Sequence, residues 1–157
     1  MLFINRGVTS LMEEELEIDP QRLAMEQVVA VLTPLRQHRQ AAAERAQRQA
    51  QQALDNMQVH LQETRDVLSQ ERVNQRERRL VLSEANLNTA MALNDLDRWH
   101  EKENRMLDRL AYIRQDVERQ RLGIDAQQQR LEQARNDAKA SQRAVEKLAC
   151  LAEALNE

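Results

Sequence analysis

Apolar residues recur with heptad spacing through the second half of the chain. Two series that each step by seven residues interleave from Trp99 to Leu155, at alternating intervals of three and four. This spacing is typical of the buried seam of a coiled coil. Polar residues occupy the middle of the seam, at Gln120 and Gln127. The pattern predicts one long helix over about residues 95–155.

The first half of the chain carries a weaker version of this seam, in which Leu54, Leu61 and Leu68 recur every seven residues. It predicts another helix over about residues 34–84. The seam fails between residues 71 and 79, where nearly every residue is polar or charged. We expect this stretch to be loosely paired and solvated.

A reversal of the chain is predicted between these helices, at about residues 85–94, where Asn88 and Asn94 favour helix ends. Such a reversal pairs residues whose numbers add to about 181. Five apolar pairs share this register: Leu82 with Trp99, Leu68 with Ile113, Met57 with Ile124, Ala50 with Leu131, and Ala43 with Ala138. The predicted fold is therefore all-α, a long antiparallel two-helix coiled-coil hairpin. The alternative is a single unbroken helix of about 120 residues that dimerises in parallel.

Two dipeptides place an N-cap residue before a proline at the first helical position, Asp19 with Pro20 and Thr33 with Pro34. They predict a short amphipathic N-terminal helix over residues 20–32, which Pro34 either separates from the next helix or joins to it through a kink. The preceding residues 1–19 are acidic, and we expect a disordered tail there. Residues 20–157 then form a single helical hairpin.

Composition narrows the class of protein further. The 157 residues include only two glycines, two prolines and three aromatic residues, which argues against a β protein and against a thick core or a roomy active site. The net charge is -3, so the chain lacks the excess of basic residues that is typical of a nucleic-acid binder. No apolar stretch is long enough for membrane insertion. The lone Cys150 fits a reducing compartment, and we expect it to be packed as a small hydrophobe.

No catalytic, cofactor-binding or metal-binding residues are predicted, and the chain is not expected to be an enzyme. There is no glycine-rich phosphate loop, and the histidines lie far apart. His100 and Glu103 have the i, i+3 spacing of a ligand pair, but bundles that use this pair need several more inward carboxylates. The position of Glu103 in the apolar seam is nevertheless unusual.

Partner-binding residues are expected at both ends of the hairpin. At the chain termini the hairpin offers aliphatic residues suited to docking: Val28, Leu32, Leu35, Leu148, Leu151 and Leu155. Near the reversal lie Leu93, Leu96 and Trp99, which either plug the hairpin or form a recognition tip. A basic cluster with Arg72, Arg76 and Arg79 is interpreted as a solvated face, with docking of an acidic partner as the alternative.

Four segments resemble one family of proteins: Leu-Thr-Pro-Leu-Arg-Gln-His-Arg-Gln at 32–40, Ser-Glu-Ala-Asn-Leu-Asn at 83–88, Leu-Asp-Arg-Trp-His at 96–100 and Arg-Ala-Val-Glu-Lys-Leu-Ala-Cys-Leu at 143–151. With the helical hairpin, they resemble the type III secretion central stalk family, called YscO or HrpO in injectisomes and FliJ in flagella. The likeness is strongest to the HrpO proteins of plant-associated bacteria. It covers about residues 32–157.

The resemblance implies a virulence-associated, cytoplasmic protein at the inner-membrane base of the secretion apparatus. Such a stalk threads the hexameric export ATPase, couples it to the export gate, and also binds secretion chaperones. By analogy, the aliphatic residues near the termini would meet the ATPase, and the residues near the reversal would meet the gate or a chaperone. The alternative functions are a plain structural coiled-coil scaffold or a secretion chaperone with no ATPase partner. A DNA-binding zipper is a weaker option, because it needs a basic region before the zipper and acidic residues interrupt the only such region.

Overall fold

The computed structural model describes residues 19–88 and 93–157, with side chains described for 19–85 and 93–157. Two long helices, α1 (Pro20–Asn88) and α2 (Leu93–Asn156), pack against each other, and the described residues contain no strand. The predicted all-α helical hairpin is confirmed. Residues 1–18 of the predicted acidic tail (1–19) and the middle of the predicted reversal, residues 89–92, lie outside the described residues.

The start of α1 has the predicted cap. The carboxylate Oδ1 of Asp19 accepts a hydrogen bond from the Gln21 backbone N–H at 3.0 Å. The Asp19 carbonyl accepts the Leu23 N–H at 3.1 Å, which closes the first helical turn. Pro20 occupies the first helical position, where its missing N–H has no partner to lose.

The predicted short helix over residues 20–32 is not separate, because α1 continues through Pro34. Thr33 is therefore not an N-cap. Its hydroxyl donates to the Val29 carbonyl at 2.7 Å, within the helix. A proline inside a helix costs about 3 kcal/mol, and burial of Val29 on the preceding turn helps to offset that cost.

The described chain divides into two units, which we call the middle unit (Arg48–Gln133) and the terminal unit (residues 19–47 and 134–157). In the middle unit, Leu54 and Leu61 pack with Ile124 and Leu131, against the partly buried Ala50 and Met57. Leu68 packs with Leu110 and Ile113 in a neighbouring cluster. These contacts lie within one chain and match the predicted antiparallel register, so the parallel alternative is wrong.

Gly123 makes room for one side chain of this core. A Cβ built on Gly123 would lie 3.2 Å from the Met57 methyl carbon, so the helices approach closely at this level. Met57 also packs against the cluster that contains Ile124, so the predicted register holds at this level.

The terminal unit has a smaller core, in which Val29, Ala138 and Leu148 are buried. Arginines link its two helices through backbone carbonyls. Arg36 Nη1 donates to the Ala144 carbonyl at 3.0 Å, and Arg22 Nη2 donates to the Leu155 carbonyl. The terminal unit therefore pairs its helices with fewer large side chains than the middle unit.

Glutamine carboxamides form a ladder along the helix surfaces, which we call the glutamine ladder. In each rung the Nε2 of a glutamine donates to a side-chain oxygen four residues later, at 2.9–3.1 Å. The rungs are Gln40–Glu44, Gln51–Asp55, Gln52–Asn56, Gln62–Asp66, Gln70–Asn74 and Gln142–Glu146. Such i, i+4 pairs stabilise helices by about 0.2–0.5 kcal/mol each.

Candidate partner-binding surfaces

Apolar side chains of the terminal unit remain exposed beside its small core. On α1, Val28, Val31 and Leu35 are 55%, 69% and 44% exposed. Their spacing of three and four residues places them in one stripe along the helix. Met25 and, on α2, Leu151 are also exposed. We call these five residues the terminal surface.

The terminal surface exists because the apolar arc of α1 is wider than one partner helix can cover. At 100° per residue, the apolar residues larger than alanine between Met25 and Leu35 span about 160° of the helix circumference. A helix that packs on one neighbour usually has an apolar stripe about 100° wide. Val29 faces α2 and is buried, whereas Val31 lies about 160° around the helix from it and is exposed.

The six aliphatic residues predicted to bind the ATPase are not equally accessible. Val28, Leu35 and Leu151 are exposed, and they lie on the terminal surface. Leu32 and Leu155 are half-buried. Leu148 is only 5% exposed, so it belongs to the core of the terminal unit and is not available for docking.

Met25 and Val31 were not among the residues predicted for this surface. The signal was present in the spacing, since Val31 continues the stripe of Val28 and Leu35. The spacing alone does not show which side of α1 is covered, because that depends on where α2 packs.

The middle unit contains an open groove of about 1100 Å³ between residues 74–82 of α1 and 95–106 of α2. Its apolar lining includes Leu82, Trp99 and Met106. Its basic lining consists of Arg78, Arg79, Arg98, Lys102 and Arg105, and its acidic lining of Glu77, Asp95 and Glu103. We call this feature the tip groove.

The tip groove opens where the seam becomes polar. Gln75 and Arg78 occupy seam positions of α1 at this level, and Glu103 occupies one on α2. Long polar side chains at seam positions weaken the packing that closes a coiled coil. The predicted loss of the seam between residues 71 and 79 therefore corresponds to the opening of the groove.

An ion pair explains the unusual seam position of Glu103. Arg79 Nε and Nη2 lie 2.7 and 2.6 Å from Glu103 Oε1, and the Glu103 side chain is only 15% exposed. One layer further along, Arg109 Nη2 lies 3.2 Å from Glu71 Oε1. Both pairs bridge α1 and α2, so these carboxylates hold the helices together electrostatically. Within the part of the chain that the structure describes, no group of three or more metal-ligating side chains occurs.

The groove has more basic than acidic side chains, and of the basic residues described there only Arg79 forms an ion pair within it. Arg78 Nη1 lies 3.3 Å from the Met106 sulfur. Among the described residues, Arg78, Arg98, Lys102 and Arg105 form no ion pair. Since Arg79 and Glu103 neutralise each other, the groove presents these four cations against two carboxylates.

The residues predicted near the reversal divide between the groove and open solvent. Trp99 is half-buried in the groove, with its ring 5.0 Å from that of His100. Leu93 and Leu96 are exposed outside the groove, so neither forms a plug. Of the predicted basic cluster, Arg79 lines the groove, whereas the exposed Arg72 and Arg76 do not.

Two glutamines form the polar layers that the sequence predicted within the middle unit. Gln127 is buried, and its Nε2 donates to the Ala50 carbonyl at 3.1 Å. Gln120 Nε2 donates to Thr64 Oγ1 at 3.0 Å and to Asp116 Oδ2 at 3.1 Å. These directional bonds fix the axial register of the helices.

Cys150 is exposed, so the prediction that it is packed is wrong. Leu148 faces α1, and two residues further along the helix Cys150 points about 160° away from it. Proximity in sequence to buried leucines did not reveal this direction.

Comparisons with protein-family models, curated proteins and solved structures gave no significant match to this chain. Neither described helix contains an apolar stretch that could cross a membrane.

Proposed function

We propose that this chain is a non-catalytic central stalk of a bacterial type III secretion system. In this role the helical hairpin threads the hexameric export ATPase and couples it to the export gate. The resemblance of residues 32–157 to the stalk family gives the expectation. The exposed stripe of Val28, Val31 and Leu35 is the observation that carries the proposal, because it offers apolar anchors that the chain itself leaves uncovered.

The proposed mechanism is differential contact. A shaft biases the conformations of ring subunits only through contacts that differ in free energy between open and closed subunits. Burial of one aliphatic side chain contributes about 1.5–3 kcal/mol. The terminal surface therefore has enough apolar area to favour one subunit conformation over another by more than about tenfold.

The proposed location is the cytoplasmic side of the inner membrane, at the base of the secretion apparatus. The export gate and secretion chaperones are the further proposed partners. The exposed Leu93 and Leu96, with Trp99 and the neighbouring arginines, offer a separate surface for them.

The test measures ATP hydrolysis and hexamer formation by the cognate export ATPase with and without this chain. The wild-type chain should raise the hydrolysis rate or promote the hexamer. Replacement of Val28, Val31 and Leu35 by Asp should abolish this effect, since each change removes an apolar anchor. A matched variant with Asp in place of the exposed Val59, Val67 and Val73 controls for helix propensity and added charge.

Normal stimulation by the first variant would rule out the terminal surface as the docking site. A wild-type chain with no effect on the ATPase would contradict the stalk proposal. Replacement of Trp99 by Ala should leave ATPase stimulation intact, because Trp99 lies in the middle unit and the docking residues lie in the terminal unit.

One observation favours a second candidate, a self-associating coiled-coil scaffold. Ala24, Val28, Val31 and Leu35 follow the 4-3-4 spacing of a coiled-coil seam on a face that α2 does not cover. A scaffold of this kind would form dimers that the Val28, Val31 and Leu35 variant abolishes, without any response from the ATPase. Sedimentation of both variants at several concentrations separates this candidate from the stalk.

A further inference from the structure

We propose that the tip groove binds a single amphipathic helix of a partner protein, one whose apolar face is flanked by carboxylates. This inference depends only on the groove, and it holds whether or not the export ATPase is a partner. It specifies the chemistry of a ligand for residues 74–82 and 95–106.

The dimensions of the groove suit a helix better than a small molecule. Residues 74–82 extend about 12 Å along α1, or about two helical turns. The volume of about 1100 Å³ is open to solvent along this length and can take several side chains. A helix bound in a groove inserts side chains from positions i, i+3, i+4 and i+7, which cover two turns.

The apolar lining of the groove supplies suitable anchors. Trp99 is half-buried, so part of its ring remains available for contact. Tryptophan is enriched among residues that dominate binding energy. Met106 lines the groove beside it, and the flexible thioether of methionine adapts to ligands of different shape. Leu82 completes an apolar strip against which an inserted leucine or phenylalanine can pack.

The cations of the groove select the charge of the partner. Arg78, Arg98, Lys102 and Arg105 line the groove without a carboxylate partner among the described residues. A helix with glutamates beside its apolar face would complete these pairs. A helix with lysines at the same positions would be repelled, so charge complementarity supplies specificity.

Two other occupants fit the groove less well. In a symmetric contact between two copies, the same basic residues would face one another, which is unfavourable. A nucleic-acid backbone would meet Glu77 and Asp95 within the groove, on a chain whose net charge is -3.

The test uses Trp99 as a reporter, because it is the only tryptophan of the chain and it lies in the groove. The probe is a designed helical peptide of about 16 residues, with leucines spaced to form one stripe and glutamates on either side. A matched peptide has lysines in place of the glutamates. The glutamate peptide should shift the Trp99 emission to shorter wavelength in a saturable manner, and added salt should weaken its binding.

Charge reversal in the groove should reverse the preference for the two peptides. Replacement of Arg98 and Lys102 by Glu should weaken binding of the glutamate peptide by about tenfold or more and strengthen binding of the lysine peptide. A matched variant with Glu in place of Arg65 and Arg114, which are exposed outside the groove, should bind like the wild type. Arg105 replaced by Glu provides a second, milder test, and circular dichroism verifies the helicity of each variant.

Equal binding of both peptides, or no response of Trp99 to the glutamate peptide, would overturn the proposal. A blue shift that depends on protein concentration without peptide would overturn it in favour of a second copy. Tighter binding of a single-stranded oligonucleotide than of the glutamate peptide would overturn it in favour of nucleic acid. None of these measurements involves the ATPase, so failure here is distinct from failure of the stalk proposal.

Discussion

The middle and terminal units use large apolar side chains differently. In the middle unit, Leu54 and Leu61 are buried against Ile124 and Leu131. In the terminal unit, valines and leucines also lie outside the seam, exposed on α1. A side chain buried in the seam stabilises the pairing of the helices but offers no apolar area to another protein. The terminal unit buries fewer large side chains, and its closely spaced Val28, Val31 and Leu35 remain available for partner binding.

The largest expected effect comes from truncation of the buried leucines. Leu61 or Leu131 replaced by Ala should lower the free energy of unfolding by about 2–5 kcal/mol, since each leaves a cavity in the middle unit. Val28 or Val31 replaced by Ala should change it by less than about 0.5 kcal/mol, since both are exposed. Thermal and urea unfolding followed by circular dichroism measure both changes. Equal losses at the two sets of positions would refute the contrast between the units.

A second comparison lies within the middle unit, between its leucine clusters and the tip groove. Amides of residues 74–82 should exchange with solvent at least about tenfold faster than those of residues 54–68, a difference of about 1.4 kcal/mol in local opening. The reason is that no apolar residue from 74 to 82 is buried between the helices, whereas Leu54, Leu61 and Leu68 are. Hydrogen exchange followed by mass spectrometry measures this difference. Uniform protection along α1 would show that the ion pairs replace the leucines fully.

The next effect concerns the buried Gln127. The Gln127→Leu change should raise the unfolding midpoint by an amount equivalent to about 1 kcal/mol, because an apolar side chain suits this site better than a carboxamide. The same change should relax the register. Cysteines at Leu68 and Ile113, in a chain with Cys150 replaced by Ser, measure register through crosslinking within one chain at high dilution.

The parent chain should crosslink efficiently at this cysteine pair, and the Gln127→Leu variant should crosslink less efficiently. Crosslinks found only between chains would contradict the hairpin itself. Crosslinking that is unchanged in the variant would show that leucine packing alone fixes the register.

The smallest effect is expected at the interhelical ion pair. Removal of the pair by changing Arg79 to Ala and Glu103 to Gln should reveal a coupling of about 0.2–1 kcal/mol in a double-mutant cycle. The coupling is small because Arg79 is 59% exposed. It should fall further in about 1 M salt, where the screening length shortens to about 3 Å. Coupling that is independent of salt would indicate a packing role instead.

The hairpin and its register could be predicted from sequence because they depend on the spacing of large residues. Leu68, Met57 and their partners repeat every seven residues, and few antiparallel registers match them all. The effect of Pro34 could not be predicted, because local propensity opposes a continuous helix while packing of the flanking turns supports it. That balance depends on contacts between distant parts of the chain.

The candidate surfaces were predicted less completely than the fold. Trp99 and Arg79 were singled out, but Arg98, Lys102 and Arg105 were not. Their i, i+4 and i+7 spacing places these three residues on one face of α2, but that this face borders a groove follows from the packing of α2 against α1, which no local pattern reveals. Likewise, both Leu148 and Leu151 were predicted to bind a partner, although only Leu148 lies in the heptad series of the seam, and the structure buries Leu148 and exposes Leu151.

The glutamine ladder makes ionic strength a selective experimental variable. In each rung the hydrogen-bond donor is an uncharged carboxamide, so dissolved salt weakens this hydrogen bond only slightly. The links between Glu71 and Arg109 and between Arg79 and Glu103 depend on opposite charges, and they lie at or beside the tip groove. Concentrated salt should therefore weaken the contacts between α1 and α2 beside the tip groove by up to about 1 kcal/mol per ion pair, while helical content stays nearly constant, so salt distinguishes the two kinds of side-chain link in one molecule without mutation.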